Sequence, residues 1–129
     1  MKATARQVFT IGIYIEVLAV LVQFFLAGLG IFYDASFFFF HAVINALVVG
    51  VLPLILALVG WYGGVDRRTL LMTGSIFLLV VLQSLLLAPY HIDGSGALRI
   101  ISGLHTVNAI AIFWVALMLL DRVRHPATA

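Results

Sequence analysis

An all-α integral membrane protein, an up-down-up-down bundle of four helices, is what this sequence predicts. Of 129 residues, 64% are hydrophobic and only 9% charged, and mean hydropathy is +1.23. A soluble domain carries about a quarter charged residues. The apolar residues also fall into four stretches, and about 20 of them suffice to cross a hydrocarbon core. Three short polar breaks separate the stretches, and short loops force consecutive helices to run antiparallel.

The spans are placed at about residues 8–32, 37–59, 70–88 and 98–120, in one transmembrane domain covering 1–129. Tyr33-Asp34-Ala35-Ser36, Gly63-Gly64-Val65-Asp66 and the stretch Pro89 to Gly96 form the breaks. Lys2 and Arg6 precede a first stretch that is too long for a signal-peptide core and lacks a small-x-small cleavage site, so it is read as a retained helix. Pro53 is expected to kink the second helix against the carbonyl of Val49.

Charge sets the expected orientation. Lys2, Arg6, Arg67, Arg68, Arg122 and Arg124 lie on the termini and the second break, whereas the first and third breaks together have only Arg99. Both termini are therefore expected in the cytoplasm of a cell whose inner (plasma) membrane holds the protein. The net charge of +2 thus reads as an orientation signal and not as nucleic-acid binding. Trp61, Tyr62, Tyr33 and Tyr90 sit at span ends, where amphipathic rings settle among headgroups.

With no cysteine, disulfides, thiolate metal sites and iron–sulfur clusters are excluded. No nucleophile–base pair, phosphate loop or paired-carboxylate site stands out, which leaves hydrolytic chemistry without candidates. What stands out instead is an approximate repeat of polar residues within the apolar stretches. Gln23, His41 and Asn45 recur in order as Gln83, His105 and Asn108. Gln and His stand 18 residues apart in the first half and 22 in the second. Topology puts all of them at similar depth in the outer half of the bilayer. Each Asn, four or three residues after its His, lies on a neighbouring part of the same helical face.

Polar side chains in hydrocarbon turn inward to find partners, and three readings of this layer stay open. The residues could simply bridge helices. His41 and His105 could be the axial ligands of one haem b held between the diagonally placed second and fourth helices, with Asn45, Asn108, Gln23 and Gln83 supporting them. Or the layer could hold a quinone or another lipophilic ligand. Gly28, Gly30 and Gly103 would make room for a macrocycle, and Arg99, Tyr33, Tyr90 and His91 lie where propionates would emerge. Glu16, seven residues before Gln23 on roughly the same face, is expected to be protonated or paired with a group such as Ser75, and is a candidate proton relay.

The Gln and Gly of the first helix, the His opening the second, the Gln of the third and the run Leu104-His105-Thr106-Val107-Asn108-Ala109 resemble a family of small bacterial four-helix membrane proteins of unknown function. That resemblance implies the fold and no activity. More distantly, paired membrane histidines resemble those of b-type cytochromes and ferric-reductase-like proteins. With two histidines inside spans rather than four, the likeness implies one haem. The functional expectation is a small haem-binding protein for electron transfer or redox sensing, met by a membrane redox partner or a larger complex and open to homo-oligomerisation. The rival is a non-enzymatic accessory subunit.

Overall fold

The computed structural model describes residues 1–92, 96 and 99–125. Helix α1 runs Lys2–Phe32. The second rod is built from α2 (Phe37–Ile44), a π-helical segment (Asn45–Gly50) and α3 (Val51–Gly63). The third consists of α4 (Arg67–Leu85) and the short α5 (Ala88–Ile92), and the fourth of α6 (Arg99–Ser102) and α7 (Leu104–Arg124). The four rods, Lys2–Phe32, Phe37–Gly63, Arg67–Ile92 and Arg99–Arg124, are each long and apolar enough to cross a bilayer. Each packs on the next and the fourth returns to the first, so the second and fourth stand on a diagonal. The expected turn residues Asp93, Gly94 and Ser95, and the expected start of the fourth span at Leu98, lie outside the described residues.

The outside of the bundle is apolar, and its inside combines an apolar core with buried polar side chains. Leu18, Leu47, Leu58, Leu78, Val107 and Trp114 are all more than half exposed, while Glu16, Gln23, Thr69, Thr73, Gln83 and Asn108 are buried with Ile13, Leu56, Ile76, Ala116 and Leu119. Water would reverse that arrangement, and lipid favours it. This is a multi-pass membrane protein.

Pro53 does not act through a simple kink. It lacks an N–H, and the turn before it opens into the π segment, so the strain is absorbed by one wide turn. The third rod breaks at Leu86 and Leu87, ahead of Pro89, and the fourth at Gly103.

At the basic end, local chemistry closes the turns. Gly64 adopts φ +74°, and the Val65 N–H reaches the Gly60 carbonyl while the Gly64 N–H reaches Trp61, a Schellman closure of α3. A residue with a Cβ at Gly63 would meet the Arg6 backbone nitrogen at 2.9 Å, so this glycine lets α1 and α3 close together. Asp66 caps α4 by accepting from the Thr69 N–H (3.0 Å) and hydroxyl (2.6 Å). Arg122 Nε donates to Thr69 Oγ1 (2.8 Å), and its Nη2 lies 3.3 Å from Asp66, which ties α7 to the start of α4.

The hydrogen bonds from Thr69, with Arg122 nearby, hold the Asp66 carboxyl below the usual carboxylate range. A carboxyl depressed in the folded state stabilises fully above its unfolded value of about 3.9 and loses that contribution as pH falls through the folded value. Asp66→Ala should therefore cost about 0.5–2 kcal/mol at neutral pH and shrink the difference from wild type below about pH 4. Helicity loss in detergent, followed by circular dichroism against heat at both pH values, checks this, and equal losses at both would contradict it.

Candidate functional site

His41 and His105 meet across the diagonal. Their ring centroids lie 6.4 Å apart with the planes inclined at 49°. Each ring is anchored the same way, by its Nδ1 against the backbone carbonyl of the preceding rod's glutamine. His41 Nδ1 lies 3.1 Å from Gln23 O, and His105 Nδ1 lies 2.9 Å from Gln83 O. The approximate sequence repeat thus becomes one hydrogen bond made twice.

A carbonyl oxygen only accepts, so at His105 this bond places the hydrogen on Nδ1 and leaves a lone pair on Nε2. Among the described residues the Gln83 carbonyl is the hydrogen-bond partner of His105 Nδ1. At His41 the Gln23 carboxamide nitrogen, 2.9 Å from Nδ1, is a donor that competes with the carbonyl bond. We assign both rings the Nδ1–H tautomer by the parallel between the halves.

The supporting amides differ between halves. In the second, Asn108 Nδ2 donates to Gln83 Oε1 (2.6 Å) and to the Leu79 carbonyl (2.8 Å). In the first, the Gln23 carboxamide, with its nitrogen toward α2, donates to the His41 carbonyl (2.8 Å) and accepts the Asn45 N–H (3.1 Å). Asn45 thus contributes its backbone where Asn108 contributes its side chain.

Both histidines line a cavity of about 850 Å³ to which all four rods contribute. That volume is within the roughly 300–1,000 Å³ of small-molecule sites. Val20, Val49 and Ile112 line it together with Phe24, Phe38 and Leu87, an apolar wall around the two rings. All six candidate polar residues Gln23, His41, Asn45, Gln83, His105 and Asn108 fall in this region, with Asn108 reaching it through Gln83. Tyr90 and His91 line it as well, and the Arg99 guanidinium lies 5.0 Å from the Tyr90 ring centroid. Tyr33 does not line it and packs on Phe37 instead.

The three glycines play separate parts. At Gly28 a Cβ would meet nothing within 4 Å, so this position opens onto the cavity. At Gly30 it would strike the Phe38 ring at 2.8 Å, and at Gly103 the Ile100 carbonyl at 3.0 Å. Those two glycines serve helix packing and the break before α7, not a macrocycle.

Two lining residues escape the sequence pattern. Ser102, whose buried Oγ has no hydrogen-bond partner, and Thr106 flank His105. A hydroxyl three residues before a candidate ligand was the available signal, hidden by the helix break at Gly103. Glu16 is not in the lining. It is 1% exposed, and neither carboxyl oxygen has a partner. Ser75, the expected partner, donates to the carbonyl of Met72 on its own helix.

Both rings line one cavity, and in the assigned tautomer each Nε2 keeps a lone pair that can accept a hydrogen bond or bind a Lewis acid. They cannot donate to a quinone carbonyl in this tautomer. Among the described residues no group of three or more His, Cys, Asp or Glu could hold a bare metal ion.

Residues 23–89 match the family described as "Family of unknown function (DUF6220)", and the chain belongs to that family. The matched region holds Gln23, His41, Asn45 and Gln83 and stops before His105. No curated protein and no solved structure matches the chain.

Asn108→Ala should cost about 1–3 kcal/mol, because it strands the buried Gln83 oxygen. Asn45→Ala should cost much less, since the bond at that position uses the backbone. Unfolding titrations in mixed micelles check the pair, and equal losses would contradict the asymmetry. Nitrogen-15 spectra of histidine-labelled protein check the tautomers, with a protonated Nε2 on either ring as the contrary result.

Proposed function

We propose that this member of the family binds one haem b between His41 and His105 and passes single electrons within the membrane. The observation that carries the reading is the 6.4 Å between imidazole centroids. Two rings binding one metal through Nε2, with bonds of about 2.0–2.1 Å and each nitrogen about 1.1 Å from its centroid, have centroids about 6.3 Å apart. The Nδ1–H···O=C bonds supply the fixed tautomer and orientation that metal-ligating histidines use.

The ligand count favours haem over a bare ion. Zinc takes four protein ligands or three with water, and this site offers two. A haem brings its own four equatorial nitrogens and asks the protein only for the axial pair. With both axial positions filled by histidine, no position is left for dioxygen, so the chemistry is electron transfer or redox sensing. The apolar lining would hold the macrocycle, and Arg99, Tyr90 and His91 would stand at the end where propionates emerge.

The same reading carries the orientation. Six of the seven Lys and Arg residues, all but Arg99, belong to the termini and the second turn, which supports cytoplasmic termini in a cell inner membrane and a haem nearer the outer face. The partners are then the bilayer itself and a redox protein or larger complex, with self-association as a further possibility. Tags placed in the 93–98 segment and at the C-terminus test this: a 93–98 tag reached only from the cytoplasm inverts the orientation.

Protein purified in detergent from haem-replete cells should show a Soret band and sharp α-bands on reduction. His41→Ala and His105→Ala should each abolish the six-coordinate spectrum while leaving helicity in place. Colourless wild-type protein would overturn the reading and leave the accessory-subunit alternative.

A further inference from the structure

Among the described residues Glu16 is the one buried carboxyl, and neither the turns nor the histidine site uses it. It lies at 1% exposure in the apolar core. Both oxygens lack a hydrogen-bond partner. Burying an ionised carboxylate without a partner is expensive, so such groups shed their charge unless another charge nearby compensates it.

The helices packed against α1 offer little compensation. α2 carries His41, the π segment carries no titratable group, and α3 carries only Tyr62 at its end. α7 carries His105 at one end and Asp121, Arg122 and Arg124 at the other. On the diagonal, α4 carries Arg67 and Arg68 at its first turn, and α1 itself carries Lys2, Arg6 and Tyr14. Among the described residues of these helices, the charged side chains stand at the end that carries the termini, where Arg124 Nε donates to the Tyr14 hydroxyl (3.2 Å), and the two histidines stand toward the other end.

Seven residues separate Glu16 from Gln23, about 10 Å along a helix at 1.5 Å per residue. Val20, one turn from Glu16, lines the cavity. Across so short a distance of apolar side chains, Coulomb interactions are weakly screened.

We propose that Glu16 is the proton-accepting group that balances the charge of the electron at the histidine site. This rests on the haem reading above. A haem held by His41 and His105 would become more negative by one charge on taking an electron from a one-electron reductant. An ionised Glu16 would offset that change by taking up one proton from water, becoming the neutral acid. One electron and one proton enter together, and both leave on reoxidation.

The test is a spectroelectrochemical titration of the haem-loaded protein, with dissolved mediators, across about three pH units around neutrality. Wild type should lose about 59 mV of midpoint potential per pH unit, the value for one proton per electron, over part of that range. Glu16→Gln, the neutral isostere of the protonated acid, should keep the absorption bands and flatten the slope. Reduced-minus-oxidised infrared spectra should show a gained carboxylic C=O stretch in wild type that is missing in Glu16→Gln. A pH-independent wild-type potential, or a slope and infrared band that persist in Glu16→Gln, would overturn the proposal while leaving the haem standing. Colourless protein would overturn the haem reading first and the coupling with it.

Discussion

The whole arrangement depends on one constraint: a polar group inside a hydrocarbon layer must find its partner within the protein. Histidine meets it with one nitrogen and keeps the other. Each ring sets its Nδ1 against a glutamine carbonyl on the neighbouring rod, and in the Nδ1–H tautomer assigned above that bond costs the accepting helix little because a carbonyl oxygen has two lone pairs. The bond fixes ring position. In that tautomer the second nitrogen keeps a lone pair. A matching bond across the diagonal holds a second ring on the same cavity, so a structural necessity of the membrane brings two imidazoles to one space.

For the haem proposed above the ligand count matters, since two imidazoles are too few for a bare divalent ion and are the full axial set of a haem. A quinone carbonyl needs donors, which the Ser102 and Thr106 hydroxyls of the lining would supply and the imidazoles in the assigned tautomer would not. The orphaned hydroxyl of Ser102 in the cavity wall adds a polar contact for whatever fills the space. These features converge without calling on the family relationship, which brings a fold-level kinship and no chemistry.

Much of this was legible in the sequence, because membrane residence reduces folding to a few strong rules. Hydropathy and short polar breaks placed four helices, and the diagonal of the second and fourth follows from connectivity. Gln23, His41, Gln83, His105 and Asn108 could be found because a polar residue in an apolar run stands out. What stayed hidden was irregular backbone. The π segment at Asn45–Gly50 and the break at Gly103 depend on how Pro53 and packing redistribute a helix's hydrogen bonds, which residue pattern does not display. The roles of glycines were equally hidden. Gly28 faces open space and Gly30 faces the Phe38 ring, yet two residues apart in sequence they look alike.

The unequal His–Asn steps explain why the halves solve one problem differently. At 100° per residue, Asn108, three residues after His105, sits about 60° to one side of its histidine, whereas Asn45, four residues after His41, sits about 40° to the other. Only the first placement swings the side chain to the rod that carries the glutamine, and there Asn108 bonds Gln83. In the first half Gln23 satisfies its amide on the backbone instead, bridging the His41 carbonyl and the Asn45 N–H. Those two groups are an i, i+4 pair of the helical ladder, and a side chain competing for them loosens the turn where the π segment begins. One imidazole therefore sits on a regular helix braced by an asparagine, and its counterpart sits where the ladder is shared with a glutamine. The pseudo-symmetry is close at the rings and broken one turn away, so the two histidines are matched in geometry and unequal in support.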